Sequence, residues 1–435
     1  MLALFQRISK HHILGGTAVL AITQLGASVA GFLRDRLLAQ TFPALDVVDV
    51  YIAAFRPADL LFQVLVMSAI GMILVPLLAR EHHRDDREGV ANLLGASMGL
   101  GCLLFGVVAL LLTFTLPALA PWLVDFQGEQ LHLYINFARI VLISNLLMVI
   151  GNTAGQELVT LERYWVYGLT PIIYSLGTIA GTLFLTPVIG PYGPIVGTVI
   201  GSVLYAVWRL LAVRRASIPL RMKLWHPAIA EMGWMMIPRM IALGMLQMRL
   251  LVLDTFASSL PTGAITINAY ARNVQSVVVG AIGIALAQAI FSPMSQAAVQ
   301  GNDKKFRDYI RRGSFFMLLL TIPSALFLTL IPDTIASIVN LHHVASAFAP
   351  ILILYAMSTP VESLSHLFIR AFFARENTRL PAIAHVANAA VAIGLSWTLL
   401  GTYGLFAIPI GFIAGHAVQL VILWWNLPKR IITKL

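Results

Sequence analysis

The dominant pattern in this chain is a succession of long apolar segments separated by short polar ones. Twelve of the segments approach or exceed the roughly 20 mostly apolar residues that a helix needs to cross a bilayer. Their approximate bounds are 13–42, 47–79, 90–116, 131–157, 165–187, 192–213, 228–258, 263–299, 313–331, 345–373, 381–400 and 404–426. The sequence therefore predicts an all-α polytopic membrane protein with about twelve transmembrane helices.

Composition supports this prediction. Of the 435 residues, 59% are hydrophobic and only 11% are charged, whereas a soluble domain carries roughly a quarter charged residues. The net charge of +10 is then explained by loops that face anionic lipid, and a nucleic-acid partner is not expected.

Most basic residues fall at the termini or in every second connection between apolar segments. They are Arg7 and Lys10; Arg80, Arg84 and Arg87; Arg163; Arg209, Arg214, Arg215, Arg221 and Lys223; Lys304, Lys305, Arg307, Arg311 and Arg312; Arg370, Arg375 and Arg379; and Lys429, Arg430 and Lys434. Basic connections stay on the cytoplasmic side of a membrane. We therefore expect both termini in the cytoplasm.

The two halves of the chain resemble each other. The first half contains FLRDRLLAQTF (32–42) and YIAAFR (51–56), which align with QMRLLVLDTF (247–256) and INAYAR (267–272) in the second half. The offset between aligned positions is nearly constant and close to half the chain length. We infer a parallel internal repeat of two six-helix lobes, 1–216 and 217–435, as in transporters that bind cargo where two repeats meet.

Seven basic residues lie inside the apolar segments, and all of them are arginine. They are Arg34, Arg36, Arg56, Arg139, Arg239, Arg249 and Arg272. An Arg at bilayer depth costs roughly 3 kcal/mol or more, so it normally faces water and serves a function. Its planar fork of donors matches phosphate oxygens. The sequence predicts a central cationic cavity that binds an anion.

The repeat selects four of these arginines as principal ligands. Arg34 aligns with Arg249 and Arg56 aligns with Arg272, so we expect one chamber to be lined from both lobes. Arg36, Arg139 and Arg239 have no such support. Three of the four, Arg34, Arg56 and Arg249, also have an alternative role as one half of a local ion pair. The local acids are Asp35 beside Arg34, Asp59 beside Arg56 and Asp254 beside Arg249.

Buried acids form the other part of the expected chemistry. Asp49, Asp59, Asp254 and Glu362 lie in or at the ends of apolar segments. One interpretation is that they balance the charges of the arginines. The alternative is ion coupling, because an intramembrane carboxylate can take up a proton or bind Na⁺ through its oxygens. The membrane potential is a third source of energy, and no metal or organic cofactor is predicted.

At the same residues the chain resembles the MurJ/MviN lipid II flippases. The first half carries the likeness in GFLRDRLLAQTF, VDVYIAAFRPADLLFQ and SAIGMILVPLLA. The second half carries it in MIPRMIALGMLQMRLLVLDTFASSLPTGAITINAYARNVQ and FSPMSQAAVQGNDKKF. The chain differs from the family pattern at Ser28, Phe62 and Gln63, where members often have basic residues. Many members also have fourteen helices, and here the sequence predicts twelve.

The resemblance implies a fold, a cargo and a candidate ion site. The fold is that of the multidrug/oligosaccharidyl-lipid/polysaccharide exporter superfamily. The cargo is undecaprenyl diphosphate carrying a peptidoglycan precursor, moved across the bacterial cytoplasmic membrane. Some members hold a cation between helices 7, 11 and 12, to which Asp254 and Asn388 would contribute here.

Other functions are less well supported. No GxxxxGK[ST] loop is present, so ATP hydrolysis is not expected, and we predict no enzymatic activity. We expect a monomer whose partners are its lipid-linked glycan and the surrounding lipids. The nearest alternative is a flippase for another lipid-linked oligosaccharide, of the exopolysaccharide or O-antigen type. A drug or metabolite antiporter is less favoured, because arginines would repel a cationic cargo.

Overall fold

A computed structural model describes residues 12–84, 86–219 and 221–427. The basic residues predicted at the two termini, Arg7, Lys10, Lys429, Arg430 and Lys434, lie outside the described residues. Within the described ranges the chain forms helices and connecting turns, and no strand. This confirms the all-α prediction.

The structure contains long helices joined by short turns. The α-helices are α1 (His12–Thr41), α2 (Asp46–Phe62), α3 (Ser68–His83), α4 (Arg87–Leu123), α5 (Gly128–Thr160), α6 (Tyr164–Ala180), α7 (Thr186–Ile189), α8 (Gly193–Arg214), α9 (Pro227–Ser258), α10 (Ala264–Val278), α11 (Ala285–Val299), α12 (Asp303–Leu330), α13 (Pro332–Ile338), α14 (Ala345–Phe373), α15 (Arg379–Tyr403) and α16 (Ala407–Trp425). Short π-helical segments join α2 to α3, α6 to α7 and α10 to α11.

The protein is a multi-pass membrane protein. Over the described residues, nine helical stretches are long and apolar enough to cross a bilayer. Two of them, Tyr164–Arg214 and Arg379–Trp425, each contain a 3₁₀ turn that divides the stretch into two parts. Large apolar side chains such as Phe114 and Phe184, each 73% exposed, are suited to contact with lipid tails. The count of twelve crossings and the orientation of the termini stay predictions.

Helix bounds differ from the sequence prediction where charge and helix overlap. α12 begins at Asp303, well before the predicted span, because Asn302 caps the helix and accepts a hydrogen bond from the Lys305 N–H at 3.0 Å. The basic residues predicted in this connection are therefore helical. Arg209 was likewise predicted in a connection but lies inside α8 and is 1% exposed. Hydropathy locates the apolar part of a helix and not its ends.

Backbone features recur at the interval of the internal repeat. Positive φ angles occur at Glu162 and Glu376, and again at Gly190 and Gly404. The separation along the chain is identical in the two pairs and falls within the range of the sequence repeat. The π-helical segments that follow α2 and α10 begin at nearly the same separation. A positive φ is uncommon outside glycine, so repetition at one interval supports the parallel repeat.

The described chain divides into two compact units. The first comprises the described residues up to Pro43 together with Ala54–Pro121 and Gln127–Leu243. The second comprises Ala44–Ala53, Trp122–Phe126 and the described residues from Gly244 onward. The division between the units differs from the predicted lobe boundary at 216/217, and that boundary as a functional division stays a prediction.

Candidate functional site

The first predicted arginine, on α1, is paired with its neighbour. The Arg34 Nε and Nη2 both donate to Asp35 Oδ1, at 2.9 and 2.6 Å. The Arg34 side chain is 25% exposed, while Arg36 is exposed. The local pair considered from the sequence is therefore present, and the Arg34 guanidinium is still partly accessible.

The second predicted arginine lies at the proline-containing part of α2. Arg56 is half-buried and lies within electrostatic range of Asp59. Asp59 Oδ1 accepts a hydrogen bond at 3.2 Å from Nδ2 of Asn145 on α5. Arg56, Asp59 and Asn145 thus lie in one polar group of the first unit.

Arg139, a weaker candidate, has a structural role that proline explains. Its Nε donates to the Thr113 carbonyl on α4 at 3.2 Å. In a regular helix this carbonyl would accept from residue 117, but Pro117 has no N–H. Arg139 supplies the missing donor from α5.

Arg209 repeats this arrangement and was not among the predicted site residues. Its Nη2 donates at 3.2 Å to the Tyr167 carbonyl, whose helical partner would be the imide nitrogen of Pro171. Its Nε donates to Thr170 Oγ1 at 2.9 Å, and its Nη1 to the Gly151 carbonyl at 3.2 Å. The Arg209 Cζ lies 4.5 Å from the Tyr167 ring centroid and 4.1 Å from that of Tyr205. The spacing of Tyr205 and Arg209, one turn apart on one helix face, was the available sequence signal.

The second unit buries Arg249 among side chains. Arg249 is 4% exposed on α9, and its Nη1 donates to Asn388 Oδ1 on α15 and lies 3.2 Å from His416 Nε2 on α16. Its Cζ lies 4.8 Å from the Phe412 ring centroid. Close packing of α15 and α16 depends on Gly415, where a Cβ would lie 2.6 Å from the Asn388 carbonyl oxygen.

Hydrogen bonds continue from Asn388 through the two helices. Asn388 Nδ2 donates to Gln419 Oε1 at 2.8 Å, and Gln419 Nε2 lies 3.1 Å from His385 Nδ1. Sequence reasoning missed His385, His416 and Gln419. His416 and Gln419 lie about one turn apart in an apolar helix, which places both on one face, and this was the signal for two of them.

Other predicted residues lie near this network. Glu362 Oε2 accepts from Gln275 Nε2 at 2.9 Å, and Glu362 is within electrostatic range of both Arg249 and Arg272. Asp254 is buried on α9, within electrostatic range of Tyr355. The second unit therefore brings together Arg249, Arg272, Glu362 and Asn388 out of the predicted set.

Comparison with known proteins decides the family. The sequence profile described as "Lipid II flippase MurJ" matches residues 38–435, which is most of the chain. The chain belongs to the MurJ family. The match includes Arg56, Arg249 and Arg272, and it begins shortly after Arg34.

Individual relatives and solved structures agree with membership of the MurJ family. A probable lipid II flippase MurJ of Rhizobium tropici is 24% identical over 437 residues, covering 93% of this chain and 81% of that protein. A solved MurJ in an inward closed conformation has a TM-score of 0.81 at 19% identity, covering 95% of this chain and 89% of that one. An inward-facing multidrug transporter of the MATE family has a TM-score of 0.82 at 16% identity, covering 94% and 98%. These similarities show that the chain shares the helical fold of both structures.

The MurJ family resemblance also implied a cation site that uses Asn388. In this chain Asn388 Oδ1 accepts a hydrogen bond from Arg249. Among the described residues, no three His, Cys, Asp or Glu side chains converge to hold a metal ion. The cationic group bonded to this amide oxygen is thus the arginine side chain itself.

Asp49, the remaining predicted acid, caps a helix. Its Oδ2 accepts from the Gly263 N–H at 2.6 Å, and its Oδ1 from the Thr266 N–H at 2.7 Å. The Thr266 hydroxyl donates to the same Oδ1. A carboxylate at a helix N-terminus satisfies backbone donors and complements the helix dipole. Asp49 therefore has a local structural role at the start of α10.

Proposed function

We propose that the chain translocates a polyprenyl-diphosphate-linked cell-wall precursor of the lipid II type across the bacterial cytoplasmic membrane. The supporting observation is the MurJ family match over residues 38–435, in a chain with arginines inside its apolar helices. The chain acts as a transporter without catalysis, and its cargo is an undecaprenyl-diphosphate glycan.

Arg34 and Arg272 are the principal ligands for the diphosphate in this proposal. Both are half-buried, so they combine access with the low dielectric that strengthens a charge-assisted hydrogen bond. Arg34 is partly neutralised by Asp35, which lowers the cost of holding a charge in the membrane before cargo arrives. The guanidinium fork matches two phosphate oxygens, which a lysine ammonium does not.

Arg56 and Arg249 have supporting roles in this proposal. Arg56 adds positive potential from α2, close to Asp59. Arg249 is bonded to Asn388 and His416, so in this arrangement it contributes charge and no direct cargo contact. This modifies the expectation that Arg249 binds the cargo directly.

Alternating access moves the head group while the prenyl tail stays in lipid. The membrane potential is positive outside and favours outward movement of an anion by about 2.3 kcal/mol per charge per 100 mV. The potential is thus one source of energy, in addition to any coupled ion.

A depletion experiment in cells tests the function. A bacterial host whose own lipid II flippase is depleted should grow, and stop accumulating lipid II, when this chain is expressed. Arg34→Ala should fail at equal membrane abundance, and Arg34→Lys should rescue in part. Arg36→Ala is the matched control, because Arg36 is exposed on the same helix, and it should rescue fully.

The proposal is contradicted if the wild-type chain reaches the membrane in its folded form and lipid II still accumulates. If the host instead resumes export of a different lipid-linked oligosaccharide, the alternative cargo is the correct one.

A further inference from the structure

We propose that His385 and His416 form a proton site that holds Arg249 while both imidazoles are neutral and releases it when either is protonated. Binding of a diphosphate anion to the released Arg249 is then linked to proton uptake. This inference rests on the proposed function, because it names the coupling ion of the same transporter.

The first step is the direction of the hydrogen bonds, which Arg249 determines. A guanidinium donates and cannot accept. His416 Nε2, which lies 3.2 Å from Arg249 Nη1, must therefore accept. An imidazole that accepts at Nε2 is neutral and has its proton on Nδ1.

The second step follows the series of hydrogen bonds from Asn388 to His385. Asn388 Oδ1 accepts from Arg249, so Asn388 Nδ2 donates to Gln419 Oε1. The Gln419 Nε2 is then left to donate to His385 Nδ1 at 3.1 Å. His385 is therefore also neutral, with its proton on Nε2. One donor-only group fixes two amide orientations and two tautomers.

The third step is the effect of histidine protonation on this series of hydrogen bonds. A doubly protonated imidazole has two donors and no acceptor. On His416 the added proton would face the N–H of Arg249. On His385 it would face the amide group of Gln419, and reversing that amide would reverse Asn388 and turn its NH₂ toward Arg249. Either proton removes an acceptor from Arg249.

Electrostatics acts in the same direction as geometry. α16 packs against α14 and α15, and the titratable groups within range of His416 are Arg249, His366 and His385. A second positive charge beside Arg249 is repulsive. Proton binding and retention of Arg249 are therefore opposed.

Other charged and titratable side chains lie near Arg249 and can interact with it once it is released. Glu362, Tyr355 and Arg272 lie within electrostatic range of Arg249. Arg272 is a proposed ligand of the diphosphate, so an anion bound there would attract the released guanidinium. Linkage requires that if a proton favours anion binding, the anion favours proton binding to the same degree.

The second ring nitrogen of His416 also bears on the proposal. His416 is 7% exposed, and its Nδ1 has no hydrogen-bond partner among the described residues. The imidazole is thus held from one side by Arg249, and no bond on the other side opposes its rearrangement.

The test measures anion affinity and proton uptake together. The full-length protein in lipid nanodiscs is titrated with undecaprenyl diphosphate between pH 5.5 and 8 in weak buffer containing a pH dye. For one linked proton, affinity should rise about tenfold per pH unit of acidification within the titration range, beyond the ionisation of the ligand itself. His385→Gln with His416→Gln keeps an oxygen acceptor at both positions without titration, and this linkage should disappear. His342→Gln, an exposed histidine of the same unit, is the control and should behave as the wild type.

The outcomes separate the two proposals. If the wild type binds no undecaprenyl diphosphate at any pH, the proposed function fails. If it binds and the double variant shows the same proton uptake, the proton site is rejected and the proposed function stands.

A second measurement needs no variant. Nitrogen-15 NMR of labelled histidine in the wild-type protein at high pH should show His416 with its proton on Nδ1 and His385 with its proton on Nε2. The opposite tautomer at either residue would overturn the assignment.

Discussion

Arg209 in the first unit and Arg249 in the second are both buried inside apolar helices, at 1% and 4% exposure, yet they are held by different kinds of group. Arg209 donates to two backbone carbonyls and a threonine hydroxyl, and it lies over two tyrosine rings. Arg249 is bonded to an amide and an imidazole. Carbonyls have no titratable proton, whereas an imidazole does. The first arrangement has no titratable partner for its arginine, and in our proposal the second releases its arginine on protonation.

The internal repeat relates this difference to two corresponding positions in the sequence. At the interval that relates the two positive-φ pairs, Pro171 corresponds to His385 and Tyr205 corresponds to Gln419. In the first unit the proline frees the Tyr167 carbonyl, which accepts from Arg209 and from the Thr170 hydroxyl. In the second unit, Gln419 and His385 occupy these two positions. They continue the series of hydrogen bonds that begins at Asn388. One pair of positions serves rigidity in one unit and, in our proposal, proton binding in the other.

Replacing each arginine by glutamine should give the largest difference between the two sites. Arg209→Gln should lower the free energy of unfolding on the order of 4 kcal/mol, because three buried acceptors lose a charged donor. Arg249→Gln should cost about 1–2 kcal/mol, because the new amide can still donate to Asn388. Denaturant unfolding in mild detergent measures both. Equal losses would contradict the distinction between the two sites.

Arg139 allows a test of whether Pro117 is the reason for the contact with the Thr113 carbonyl. Arg139→Ala should lower the free energy of unfolding by about 2 kcal/mol, the contribution of a hydrogen bond to a charged group. In a Pro117→Ala background the helix supplies its own N–H to Thr113, so the cost of Arg139→Ala should fall below about 1 kcal/mol. A double-mutant cycle measures the difference.

Pro121→Ala is the control for this cycle, because it restores no donor to the Thr113 carbonyl. If it reduces the cost of Arg139→Ala as much as Pro117→Ala does, the freed carbonyl is not the reason for the contact.

Much of the fold could be predicted from the sequence, because each crossing of a bilayer requires an apolar helix of a certain length. The apolar segments, the repeat and the family resemblance all led to the observed helical architecture. Helix ends were less readable, since a charged stretch such as 303–312 is helical as well as basic. Arg209 is a second case, because a charge near the end of an apolar span predicts a loop and the structure has a helix there.

The hydrogen-bond partners of the site residues could be predicted from the sequence only in part. Arg34 and Asp35 are adjacent in sequence, so the sequence offers their pair as the alternative to a cargo role for Arg34. Arg249 binds Asn388 and His416, which are far away along the chain, and no local pattern specifies such contacts. Asp49 was considered as a charge partner or an ion site, and its role as the cap of α10 depends on residues in the other half of the sequence.

The smallest expected effect concerns this cap in the second unit. Asp49→Ala should lower the free energy of unfolding by about 1 kcal/mol and speed amide exchange in the first turn of α10, because buried N–H groups lose their acceptor. Asp49→Asn retains an oxygen and should cost less. Asp46→Ala is the control, because Asp46 lies in the first turn of α2 and should leave exchange in α10 unchanged. Unaltered exchange at residues 264–268 in Asp49→Ala would contradict the capping role.

Reconstituted translocation shows directly whether intramembrane arginines move a lipid-linked diphosphate. The full-length protein in vesicles with lipid II on one leaflet should deliver head groups to the other leaflet, measured as the initial rate at which an enzyme outside can modify them. The double variant Arg34→Ala with Arg272→Ala should lose this activity while remaining folded and inserted, because each change removes a contact worth roughly 1.5–3 kcal/mol. The corresponding Lys variant should retain part of the rate, and Arg36→Ala all of it. Translocation by the double Ala variant at the wild-type rate would contradict the account.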